Sequence, residues 1–171
     1  MIATKSEFHI PDFKVISYPE GDTDVNHIVT SYQSAISDLI KQLEGGKLSK
    51  EQQTYVIYLL GALRAVGAAT ILVEYIDFEA PVVDPKSAIG RWGLHPAAEA
   101  LVKIGRPSVN EILAKAQRPQ NDSRLKQMAI VIQEVEGTEV ARLLVQAAVA
   151  NAPDANSAGH ARSLLGVFGS E

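Results

Sequence analysis

The sequence predicts an all-α fold in which short helices stack in pairs along a shared axis, an α-α superhelix. Two observations carry that prediction. From Asp24 onward apolar residues recur at spacings of three and four, the period of one helix face. The stripes are interrupted by glycine at near-regular places, Gly67, Gly105 and Gly137, at intervals of 38 and 32 residues. Periods of that size belong to helical arrays, because a single helix pair cannot bury its own apolar stripe and stacked neighbours can.

The elements follow in order. Residues 1–22 differ from the rest: Phe8, Ile10, Phe13, Val15, Ile16 and Tyr18 stand among Pro11, Pro19 and Gly21, and read as an extended or partly disordered arm laid over the first helices. The single helical domain then runs from 23 to 171. Its first helix carries Val25, Ile28, Val29, Tyr32, Ala35, Ile36, Leu39, Ile40 and Leu43 and stops at Gly45-Gly46. Ser49 with Gln52 three residues on is a capping box opening a second helix, with Tyr55, Val56, Leu59, Leu60 and Leu63 as its stripe and an end near Gly67. A third helix is expected from Ala68 to Phe78.

Glu79 to His95 is the longest irregular stretch, holding Pro81, Asp84-Pro85, Gly90 and Gly93. Pro96 begins a fourth helix and Gly105 ends it. Pro107 restarts a fifth with Val109, Ile112, Leu113 and Ala116. Asn121, Asp122 or Ser123 caps a sixth that Gly137 breaks, Thr138 caps a seventh, and Ser157 opens an eighth ending near Phe168.

With 171 residues, 46% of them hydrophobic and 21% charged, the chain is long enough for one domain with a sizeable core. A net charge of −4 disfavours a nucleic-acid partner, which calls for a basic face. The absence of cysteine excludes disulfides, thiol nucleophiles and Cys-ligated metals. Met1 to Pro11 carries Lys5, Glu7 and His9 without a long apolar run, so it does not read as a signal peptide. No window approaches the roughly 20 apolar residues of a spanning helix. A soluble protein is expected; a cytoplasmic place is slightly favoured over export with a removed signal, and the oligomeric state stays open.

The breaks themselves are alike: ALRAVGAATILVEYI (62–76), ALVKIGRPSVNEIL (100–113) and IVIQEVEGTEVARLLVQA (130–147) each join an apolar helix end, a glycine and a second helix. On these segments, and above all HPAAEALVKIGRPSVNEILAKA (95–116), the chain resembles the HEAT-like repeat also known from phycobilisome lyase-type proteins. The resemblance covers about residues 50–168. It implies a right-handed superhelix of about three to four helix pairs, with the helix before Gly45 as an N-terminal cap and the second helix of each pair lining the concave side. The implied concave face would present Thr70, Glu74, Asn110, Glu111, Lys115, Glu139, Arg142 and Gln146, a row mixed in sign that suits a protein or peptide better than a polyanion.

No constellation of a reaction centre stands out. His9, His27, His95 and His160 are never three or four residues apart, so no helical metal face is formed, and no cofactor is expected. Glu74 and Asp77, one turn apart, suggest a solvated face. Ser49, Ser108, Ser123, Thr138 and Ser157 lie at helix starts, where capping accounts for them. The loop 79–95 holds Trp92, the only tryptophan, beside Arg91 and near His95; Trp and Arg are frequent partner anchors, and a tryptophan plugging the seam between two helix pairs is the plainer reading. The candidate binding residues are therefore Arg91, Trp92 and His95 on the loop and Glu74, Asn110, Glu111 and Arg142 on the second helices. The expected function is a non-catalytic protein–protein interaction module, with an accessory enzyme or chromophore-handling protein like the HEAT-like lyases as the alternative.

Overall fold

The computed structural model of the chain describes residues 22–81 and 94–168. The arm predicted over 1–22 lies outside them apart from Asp22, and so do Arg91 and Trp92. The described residues form eight α-helices and no strand: α1 Asp22–Glu44, α2 Lys50–Ala62, α3 Ala69–Glu74, α4 Pro96–Ile104, α5 Arg106–Ala116, α6 Asp122–Glu136, α7 Thr138–Ala150 and α8 Ala155–Val167, with a 3₁₀ turn at Val66–Ala68 ahead of α3.

Several helix ends are set by the residues that predict them. Ser49 and Gln52 form the capping box of α2, the Ser49 hydroxyl oxygen accepting the Gln52 N–H at 3.3 Å while Gln52 Oε1 accepts the Ser49 N–H at 2.9 Å. Asn121 caps α6 by accepting the Arg124 N–H at 2.8 Å. Gly105 and Gly137 each close one helix and open the next, at φ 84°, ψ −145° and φ 79°, ψ 155°. That region of backbone space is essentially closed to residues with a Cβ, so glycine there joins two helices without a loop.

Four expectations about helix ends need correction. The break between α2 and α3 is not at Gly67: Arg64 takes the left-handed conformation (φ 48°) and Ala65 precedes the 3₁₀ turn. Ala69, Leu72 and Ile76 then occupy the core much as Val109, Ile112 and Ala116 do on α5, which puts the first joint two residues ahead of its glycine. The third helix is short, its last turn from Tyr75 to Phe78 held by Tyr75 N–H to Leu72 O and Phe78 N–H to Tyr75 O bonds. Thr138 is the first residue of α7, and Gly137 is its N-cap. Ser157 is not the cap of α8 but donates to it: Asp154 accepts both the Ser157 N–H and its hydroxyl at 2.9 Å.

Packing follows a rule of alternate helices. α2 packs on α4, α4 on α6 and α6 on α8, while α3 packs on α5 and α5 on α7; α4 meets α5 and α6 meets α7 within pairs, and α3 meets α4, α5 meets α6 and α7 meets α8 from one pair to the next. One continuous core results, with Ile57, Leu60, Leu72, Leu101, Ile112, Met128, Ile132 and Leu164 fully buried. Burial at roughly 25 cal/mol per Å² of apolar surface is what holds the helices together, since most are too short to persist alone. The inward face of α2 is Val56, Ile57, Leu60 and Gly61; Tyr55, predicted inward, is 72% exposed.

Ser108 is a buried polar side chain at the joint of α4 and α5. Its hydroxyl lies 2.9 Å from the Leu101 carbonyl and 2.7 Å from the Gly105 carbonyl. It thus ties the end of one helix to the start of the next rather than capping by the expected acceptance of an N–H. No helix among the described residues is long and apolar enough to cross a membrane.

Candidate functional site

A concave feature lies between α3 and α5. Thr70, Val73 and Glu74 form one wall; Glu111, Ala114, Lys115 and Arg118 form the other; the volume is ≈ 130 Å³. The walls exist because α3 and α5 are neighbours in the row of second helices, and because residues three and four apart share one helix face. Two polar contacts bridge the walls: the Thr70 hydroxyl donates to Glu111 Oε2 at 3.1 Å, and the Lys115 ammonium pairs with Glu74 Oε1.

The floor continues into a second network at the end of α3. Arg124, from the first turn of α6, donates through Nη2 to the Val73 carbonyl at 2.8 Å and through Nη1 to the Glu74 carbonyl at 2.9 Å and to Asp77 Oδ1 at 2.8 Å; its Nε bonds Gln120 Oε1 at 2.8 Å. The planar fork of arginine suits this task, since it satisfies terminal carbonyls of α3 and a carboxylate at once. Glu74 and Asp77 are therefore not a freely solvated pair of carboxylates. One is held by Lys115, the other by Arg124, whose side chain is only 14% exposed.

The sequence-predicted site residues divide accordingly. Glu74 and Glu111 come together in the groove, with Thr70 and Lys115 from the same predicted row. Asn110 is exposed on α5 and does not line the groove. Arg142, on α7, donates to the Phe168 carbonyl at 3.0 Å and so ties down the end of α8. His95 is half-buried at the N-cap of α4; its side chain makes no capping bond and its buried Nδ1 has no partner among the described residues. The Ala80 N–H donates to the Leu94 carbonyl at 2.9 Å, pinning together the two ends of the 79–95 stretch.

Sequence reasoning missed Arg118 and Arg124. Arg118 had a signal, because Glu111, Lys115 and Arg118 follow one another at helical spacing. Arg124 had none: its partners on α3 and just after it lie about fifty residues earlier, and only the packing of α3 on α5 and of α5 on α6 brings them within reach.

Chemically the groove offers Glu74, Glu111 and Lys115, each already paired or hydrogen-bonded to a neighbour, with Arg118 beside them, around a space of side-chain size. Among the described residues no group of three or more His, Asp or Glu side chains could hold a metal ion. No family model, no curated protein and no solved structure matches the chain.

Proposed function

We propose that the chain is a non-catalytic protein–protein interaction module, a right-handed superhelix of HEAT-like helix pairs with α1 as its N-terminal cap. The packing of every second helix on its predecessor supports the superhelical reading, since this is how repeat stacks share a core. The observation that carries the functional reading is the α3–α5 groove. It lies on the row of second helices, is walled by both signs of charge, and is sized for a single side chain of a partner.

The rival reading, a chromophore- or small-ligand-handling protein resembling the HEAT-like lyases, has less support at this place. The groove measures ≈ 130 Å³, against about 300–1,000 Å³ for pockets that enclose drug-sized ligands.

The test is affinity enrichment from the source cell extract with the full chain and with a Glu111→Arg, Lys115→Glu double variant. A partner that the parent chain enriches and the variant loses, at equal thermal stability, supports the module. Identical recovery by both proteins removes the groove as its binding surface. Stabilisation of the parent chain by a small ligand or tetrapyrrole in a thermal-shift screen would favour the rival.

A further inference from the structure

The contacts across the α3–α5 groove keep one register. Thr70 meets Glu111 and Glu74 meets Lys115, and the members of each pair are 41 residues apart. The same offset sets Asp77 against Arg118. That rung is not made; Asp77 is held from the other side, where Arg124 Nη1 donates to its Oδ1 at 2.8 Å and Asn121 Nδ2 to its Oδ2 at 3.5 Å. The carbonyls at the end of α5 do not engage the Arg118 side chain either, since Gln120 Nε2 donates to those of Lys115 and Arg118 at 3.0 and 3.3 Å. The exposed Arg118 guanidinium thus lines the groove with no hydrogen bond or ion pair to a described residue. In the middle of the groove Lys115 and Glu74 offset one another. At its other end, about 10 Å back along α5, Glu111 accepts from the Thr70 hydroxyl and pairs with no cation among the described residues.

We propose, resting on the reading of this groove as the module's binding surface, that Arg118 receives the carboxylate of a single aspartate or glutamate side chain in an internal segment of the partner. A guanidinium presents a planar fork of N–H donors that matches a carboxylate edge to edge. Arg118 can take such a group without breaking a bond already made, whereas Lys115 would have to leave Glu74. Glu111 makes the other end of the groove negative, so a second acidic residue is repelled there and a basic one attracted. Phosphate groups are bound by clusters of arginines; one arginine with Glu74 and Glu111 on the same walls suits a singly charged carboxylate. Chain termini are captured by backbone N–H groups, and the Arg118 N–H is already spent on the Lys115 carbonyl at 3.0 Å. That leaves the side chain of an internal residue.

The probe is a random peptide library selected on the full chain, followed by synthetic copies of the selected peptides with amidated C-termini. Peptides that the Glu111→Arg, Lys115→Glu double variant no longer binds are those of the groove. They should share an Asp or Glu at one position and bind Arg118→Gln about fivefold more weakly, the scale of an exposed ion pair. Selection on Arg118→Glu should replace that residue by Lys or Arg. Arg162→Glu makes the same change of charge at an exposed place on α8 and should leave the selection as it was. The Arg118 side chain is bonded to no described residue, so both Arg118 variants should melt with the parent chain. Groove peptides without an acidic preference, or bound equally by Arg118→Gln, overturn the assignment while the module reading stands. Binding lost on amidation overturns it in favour of a chain terminus. A selection that yields no groove-dependent peptide removes the groove as a binding surface, and the role of Arg118 with it.

Discussion

Gly61 of α2 touches Ala100 of α4 without space for a side chain: a Cβ placed on Gly61 would stand 2.7 Å from both the Cα and the Cβ of Ala100. Atoms this close cannot be relieved by a rotamer change, because one of them is backbone. Gly61→Ala therefore pits a gain in helix propensity of up to about 1 kcal/mol against forced separation of the two helices, costing about 1–3 kcal/mol. The separation wins, and chemical denaturation should show a net loss of about 1–2 kcal/mol.

The two helix-joining glycines and Gly67 should behave oppositely. Gly105→Ala and Gly137→Ala each place a Cβ at positive φ in a region costing about 1–3 kcal/mol. Gly67 has no positive φ, and a methyl group added there would meet nothing within 4 Å. Gly67→Ala should therefore lie between neutral and about 1 kcal/mol more stable, through a more restricted unfolded chain. Thermal melts of the three variants decide this.

Arg124 stabilises the end of α3 from another helix. Arg124→Ala removes the guanidinium bonds to the Val73 and Glu74 carbonyls and to Asp77, leaving the Val73 carbonyl with the Ile76 N–H and Asp77 with Asn121, with an expected loss of about 1–3 kcal/mol. Arg124→Lys should recover less than half, since an ammonium cannot present the same fork. Hydrogen exchange of the α3 amides, compared with that of the distant α7, checks that the loss is local.

Asp154 ties α8 to acid conditions. The Ser157 backbone N–H, and next the Ser157 hydroxyl, hold its carboxyl below the ordinary aspartate value. A depressed folded pKa contributes stability that is present above the unfolded value, about 3.9, and is lost as pH falls through the lower folded value. Exchange protection at the start of α8 should be level from about pH 5 to pH 7 and fall below about pH 4. Asp154→Asn keeps an acceptor for the Ser157 N–H and should abolish that acid dependence.

How much was legible in the sequence varies with the range of the interactions concerned. Helix existence, the capping box at Ser49, and the joints at Gly105 and Gly137 were readable, because caps, glycine conformations and apolar periods act within a few residues. The misplaced joint at Gly67 shows the limit of that reading. A glycine in a repeated motif looks like a break, yet the backbone turned at Arg64, since burial of Ala65, Ala69, Leu72 and Ile76 set the register. The candidate groove was half-visible: Glu74, Glu111, Thr70 and Lys115 were on the right faces, but their pairing across α3 and α5 was not.

Local chemistry in the sequence determined the all-α character, most helix starts and stops, and which faces are apolar. The tertiary structure decided which helices became neighbours, and with that the Arg124 clamp, the crossing at Gly61 and the paired charges of the groove. The physical reason is that caps and periods are satisfied inside one segment. Close packing and ion pairs between residues forty or fifty positions apart depend on the stacking of whole helices, which no single segment encodes.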